Sequence, residues 1–186
     1  GFLEVFSILD KHPRLSTGVR DGSLPALRFF KEVILPISKA QREDKAYELM
    51  ALCRKHSPLL RQDNLSNFVN NGEMDKDDPL KEIRCAINEI ANTANRKDAT
   101  FEDVLKAASE KNILQIPESL APFIIDVPAN ADDVSDGDGA EEENTMDLSS
   151  VFRAFLELSY NQVVPYSSYV ESEAEFDAHQ GVKGRE

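Results

Sequence analysis

Asp78-Pro79-Leu80-Lys81-Glu82-Ile83-Arg84-Cys85-Ala86-Ile87-Asn88-Glu89-Ile90-Ala91-Asn92-Thr93-Ala94 decides the fold class. Asp78 is an N-cap carboxylate, and Pro79 suits the first helical turn, where a missing N–H removes no hydrogen bond. Leu80, Ile83, Ile87, Ile90 and Ala94 then recur every three or four residues, one apolar stripe over about four turns. Thr100 with Asp103 forms a capping box for the next helix, whose apolar face is Phe101, Val104, Leu105 and Ala108.

The same period extends in both directions. Upstream, Phe2, Leu3, Phe6 and Leu9 make a brief amphipathic helix that Lys11-His12-Pro13 stops. Ser23 is the expected N-cap of a run whose apolar residues are Phe29, Phe30, Val33 and Ile34, with Pro36 closing it. Ser38 and Gln41 fit a second capping box, ahead of a helix with Ala46, Tyr47, Met50 and Cys53 on one face. Leu59 to Val69 is a weaker helix ended by Asn70-Asn71-Gly72. Downstream, Leu148, Val151, Phe152 and Phe155 stand at i, i+3, i+4 and i+7.

Composition divides the chain. Residues 129–144 are almost all Ala, Asp, Glu, Gly and Ser and hold too little apolar area to offset the entropy of ordering. The reading is a mostly α, irregular multi-helix domain with a long acidic loop and a short extended segment at the C-terminus. Its parts are a helical subdomain over 1–128, an acidic flexible loop over 129–146, a helical continuation over 147–175 and a terminal segment over 176–186. Every stripe named above is accounted for by core packing alone.

The 186 residues suit one domain, or one domain plus a tail. The start at Gly1, without Met, reads as a processed chain or a piece of a longer protein. No apolar run reaches the roughly 18 residues of a membrane span, and no signal peptide is evident. Cys53 and Cys85 lie among apolar residues and are expected as two buried thiols in a reducing, cytoplasmic setting. His12, His56 and His179 are far apart and have no metal-ligand spacing, so no metal is expected.

The net charge of −13 argues against the whole chain being a nucleic-acid module, because DNA affinity comes largely from Lys and Arg displacing condensed counterions. The charge is uneven, however. Residues 1–61 carry 11 Lys/Arg against 7 Asp/Glu, and residues 62–186 carry 10 against 27. Any DNA contact is therefore expected on the first third, with Arg20, Arg28, Lys31, Lys39 and Arg42 as candidates.

The chemistry-bearing string is His179-Gln180-Gly181-Val182-Lys183-Gly184-Arg185-Glu186. Glycines allow close backbone approach to a ligand, a lysine suits phosphate, and a carboxylate can accept hydrogen bonds from sugar hydroxyls. The string is not a Walker A loop, which needs G-x-x-x-x-G-K-[ST]. On its residues alone it also reads as a solvated turn.

This string resembles the H-x-x-K-G-L-E-F motif of UvrD/Rep-type superfamily 1 DNA helicases, with three residues rather than two between His179 and Lys183, Arg185 in place of the usual Leu and Asp177-Ala178 in place of Thr-Leu or Thr-Ile. The resemblance covers about eight residues and implies the start of a RecA-like domain motif over 176–186. It implies that His179 couples nucleotide state to DNA contacts, that Lys183 and Gly184 support the same loop, and that Glu186 reaches the ribose of ATP. In that family a mostly helical insertion, subdomain 2B, precedes the motif, which matches the helical body here. Walker A, Walker B and arginine-finger segments are absent from these residues, so ATP and Mg²⁺ are expected in the parent protein and catalysis is not expected of the fragment. The expected partners are DNA, through the parent, and the rest of the helicase chain, with no membrane. A stand-alone acidic helical protein-interaction module is the other reading.

Overall fold

Short amphipathic stretches separated by proline, glycine and caps cannot bury their apolar stripes singly, so they associate side by side. In the computed structural model the described residues are 4–58, 79–110, 113–124 and 147–182; the side chains of Phe6, Pro79, Leu80, Glu82 and residues 173–182 are not among them. The architecture is mostly helical, with no strand among the described residues. The helices are α1 (Glu4–Leu9), α2 (Pro13–Arg20), α3 (Pro25–Arg28), α4 (Leu35–Arg42), α5 (Ala46–His56), α6 (Pro79–Ala94), α7 (Phe101–Ser109), α8 (Leu148–Leu156) and α9 (Val163–Val182). Short 3₁₀ turns cover Ala121–Phe123 and Tyr160–Gln162.

Between α3 and α4 runs a π-helical segment, Phe29–Ile34, so residues 25–42 form one continuous helix with a wide middle. Its signature is the Leu35 N–H, which donates to the Phe30 carbonyl five residues back. Pro36 was expected to end this helix and instead lies in the first turn of α4. A proline inside an α-helix lacks a donor and presses its ring on the carbonyl four residues earlier. The widened turn displaces those carbonyls and lets the helix continue. Two expected caps are corrected as well. Leu24, not Ser23, is the N-cap of α3, and Ser38 is internal to α4, its hydroxyl donating to the Leu35 carbonyl at 2.9 Å.

The centre of the fold is aromatic. The Phe30 ring meets Phe29, Phe101, Phe155 and Tyr160 edge to face, at centroid distances of 5.4, 4.9, 6.1 and 6.1 Å. These residues come from four elements, so a single ring ties the wide helix to α7, α8 and the Tyr160 turn. One buried cluster takes in residues from Val5 to Val170. Along it α4 packs on α6, α6 on α7, and α1 on α8. The stripes of α6 and α7 are buried as expected: Ile83, Ile87, Ile90 and Ala94, then Phe101, Val104, Leu105 and Ala108. Val151, Phe152 and Phe155 of α8 are buried, whereas Leu148 at its start is 39% exposed.

The capping box forms as expected. The Asp103 N–H donates to Thr100 Oγ1 and the Thr100 N–H to Asp103 Oδ2, both at 3.1 Å. The same corner is pinned by backbone bonds, Tyr160 N–H to the Ala99 carbonyl at 2.8 Å and Phe101 N–H to the Leu158 carbonyl at 3.0 Å. The last helix closes over the first third of the chain. The buried Tyr166 hydroxyl donates to the Val19 carbonyl at 2.8 Å, and Gly22 (φ 71°) lies against Val170.

Three other expectations are corrected. Residues 176–182, expected as extended, are the last turns of α9. On α5 the expected face containing Tyr47 and Met50 points outward, with Tyr47 91% exposed, and it is Leu49, Leu52 and Cys53 that turn toward the core. Cys85, expected buried, is exposed on α6. The helix Leu59–Val69, the N-cap Asp78 and the acidic loop 129–146 lie outside the described residues.

Candidate functional site

Helix geometry sorts the five candidate cations of the first third. Arg20, at the end of α2, is held by Asp10 through two bonds, Nε to Oδ1 at 3.0 Å and Nη2 to Oδ2 at 2.6 Å. That arginine, then the Ser16 hydroxyl, keeps the Asp10 carboxyl below the usual carboxylate range. Arg28 reaches Glu32 one turn on, Nε to Oε1 at 3.4 Å and Nη2 to Oε2 at 3.2 Å. Glu32 is held below its ordinary value chiefly by that contact, against the opposing effect of burial. Both arginines are thus engaged locally in exposed, solvent-screened pairs.

Lys31, Lys39 and Arg42 share a different setting. They line one groove of about 520 Å³ between the helix 25–42 and α9. The Lys31 side chain is 15% exposed, with Nζ 3.7 Å from Glu32 Oε1. Lys39 and Arg42 are exposed and make no ion pair with any described residue. The far wall supplies Asn161, Ser167, Ser168 and Tyr160, and carboxylates come from Glu48 and Glu171. Several wall groups are already engaged: Asn161 Nδ2 donates to the Lys97 carbonyl at 2.8 Å, and Ser167 Oγ to Glu171 Oε1 at 3.0 Å. The Tyr160 hydroxyl differs. It is buried and has no hydrogen-bond partner, and burial pushes its pKa upward, so it remains a donor.

The structure therefore brings three of the five cations together and leaves Arg20 and Arg28 out of the groove lining. Sequence reasoning did not find Tyr160, Asn161, Ser167 or Ser168. Nothing local marks them, since they join the cations only through the packing of α9.

A second cavity, about 530 Å³, opens between α4, α5 and α6, where Leu49, Met50, Cys53, Ile83 and Ile87 form its apolar wall. Burial raises the Cys53 thiol to about 11, so it stays protonated and unreactive at neutral pH. At the end of α5, His56 Nε2 and Ser57 Oγ are buried without partners, and burial, then Lys55, lowers the His56 pKa. Among the described residues no three His, Cys, Asp or Glu side chains gather as a metal-ligand group.

Of the terminal motif, His179 lies in the last turns of α9, while Lys183, Gly184 and Glu186 lie outside the described residues. No described helix is long and apolar enough to cross a membrane. No protein-family model, curated protein or solved structure matches the chain.

Proposed function

We propose that the chain is the accessory, 2B-like helical part of an ATP-dependent DNA helicase, supporting or regulating unwinding without catalysing hydrolysis itself. The observation that carries this reading is the string His179-Gln180-Gly181-Val182-Lys183-Gly184-Arg185-Glu186 following a helical body. The cationic face of residues 31–42 is consistent with a DNA-facing role. ATP and Mg²⁺ belong, in this reading, to other segments of the parent protein, because phosphoryl transfer needs a phosphate cradle and metal ligands that these residues do not supply.

The test is steady-state ATPase of the parent protein with and without single-stranded DNA. Glu186→Ala removes an acceptor for a ribose hydroxyl and is expected to raise KM for ATP. One charge-assisted hydrogen bond is worth about 1.5–3 kcal/mol, or roughly ten- to a hundredfold. His179→Ala is expected to leave KM near its original value and to lower DNA-stimulated turnover. Wild-type behaviour of both variants removes the main support for the helicase reading. The net charge of −13 favours the second reading, an acidic helical interaction module. That module would leave the two variants silent in any ATPase assay.

A further inference from the structure

We propose that the cavity between α4, α5 and α6 binds a small zwitterion of the chemical class of an apolar amino acid, its body against Leu49, Cys53, Ile83 and Ile87 and its charged ends toward Asp44 and Arg84. The site goes beyond the helicase reading and does not rest on it. The space, about 530 Å³, lies within the roughly 300–1,000 Å³ of small-molecule sites, which combine apolar walls with a few polar groups. Its apolar floor is preformed. Cys53, Ile83 and Ile87 are buried members of the core, and the Cys53 thiol stays neutral there.

The charges at the mouth select the ligand's ends. Lys45 is taken up by Glu43 at 2.6 Å and Glu48 at 3.7 Å. Asp44, in the turn after α4, and Arg84, on α6, are exposed and make no ion pair with any described residue, each other included. A lone carboxylate would meet Arg84 and be opposed by Asp44, and a lone amine would meet the reverse. An ammonium beside Asp44 with a carboxylate beside Arg84 matches both charges in one ligand. Asp44 also holds an unusual backbone. The Lys45 N–H donates to the Ala40 carbonyl at 2.9 Å and the Asp44 N–H to the Gln41 carbonyl at 3.2 Å, the paired bonds of a helix end whose left-handed residue is usually glycine. Here that residue is Asp44, at φ 53°. Glycine would hold the turn at less cost, so the turn alone does not account for the carboxylate. Non-glycine residues kept in such backbone cluster at ligand clamps.

The experiment is an NMR titration of the isotope-labelled, full 186-residue chain at neutral pH with three probes. They are free L-phenylalanine, phenethylamine, which lacks the carboxylate, and hydrocinnamate, which lacks the ammonium. Phenylalanine is expected to give saturable shifts confined to the amides around the cavity, on 40–53 and 83–88. It is expected to bind about two- to fivefold more tightly than either single-charge relative, the scale of one exposed ion pair. Arg84→Gln is expected to remove its advantage over phenethylamine only. Asp44→Gly is expected to remove its advantage over hydrocinnamate only, while the thermal midpoint of that variant stays level or rises. The control is Arg54→Gln, an exposed arginine of α5 outside the lining, and it is expected to leave all three affinities unchanged. No saturable binding of phenylalanine, shifts scattered away from the cavity, a single-charge relative that binds as tightly as phenylalanine, or equal losses in Arg84→Gln and Arg54→Gln would each overturn the site. A lower thermal midpoint for Asp44→Gly would show that the carboxylate serves the fold, and would overturn its assignment to the ligand. Neither ATP nor DNA takes part in this titration, so silent His179 and Glu186 variants retire the helicase reading and leave the site standing, and a failed titration retires the site alone.

Discussion

The helix 25–42 and its neighbour α5 carry similar apolar patterns in sequence and end in different places. Along 25–42, Ala26, Leu27, Phe29, Phe30, Ile34, Ile37 and Ala40 are all buried, and the helix is packed from several sides by α5, α6 and α9. Along α5, Cys53 alone is buried, Leu49 and Leu52 are partly covered, and Tyr47 and Met50 face out. An apolar stripe shows that a helix has an inside. Depth depends on how many other elements arrive at that inside, and local spacing does not encode it.

The largest effect expected from this contrast is at Phe30. Truncation to Ala removes a wholly buried ring shared by four neighbouring aromatics, at a cost of about 3–5 kcal/mol. Urea unfolding followed by circular dichroism measures it, and a loss near 1 kcal/mol would show that the centre lies elsewhere.

A middle-sized effect is expected at the turn leading into the wide helix. Gly22→Ala places a side chain in left-handed backbone, about 1–2 kcal/mol, and its Cβ would lie 2.6 Å from Val170 Cγ1. The same denaturation assay should therefore show a larger loss than the backbone penalty alone. Val170→Ala introduced with it should recover part of the difference, because the clash is with that methyl group.

The smallest effect is expected on α5. Met50→Ala and Tyr47→Ala should each move stability by about 0.5 kcal/mol or less, since both side chains already face solvent. A loss comparable to that at Phe30 would erase the contrast between the two helices.

What was legible in the sequence follows the same division. The stripe of α6, the stripe of α7 and the Thr100–Asp103 box are local signals, and the structure reproduces them. Pro36 was misread because a proline penalty assumes an α-helical turn in front of it, and the turn in front is π. Ser38 was misread as a cap as a consequence, once the helix was assumed to stop and restart, while the cap position ahead of α3 falls one residue after Ser23, at Leu24. Cys85 was misread because its apolar neighbours in sequence face the other side of α6. The cations of the groove were legible as charge, but their sorting was not. Asp10 takes Arg20 and Glu32 takes Arg28, while the far wall arrives from residues 160–171 at the other end of the chain.

The wide turn at Phe29–Ile34 also acts as a phase joint in the helix it interrupts. Each residue of an α-helix advances the side chains by about 100°, and the wide turn takes up one extra residue without passing that rotation on. Upstream of the joint the helix aims Ala26 and Leu27 inward; downstream it aims Ile37 and Ala40 inward and Lys39 and Arg42 toward the groove. Deleting one residue from the joint would convert its five-residue hydrogen bonds into the four-residue bonds of a regular α-helix and leave the second half in its present phase. The same deletion would set Pro36 behind an ordinary α-helical turn, where its ring presses on the carbonyl four residues earlier. One irregular turn thus admits a proline while the core and the charged face of this helix stay in step.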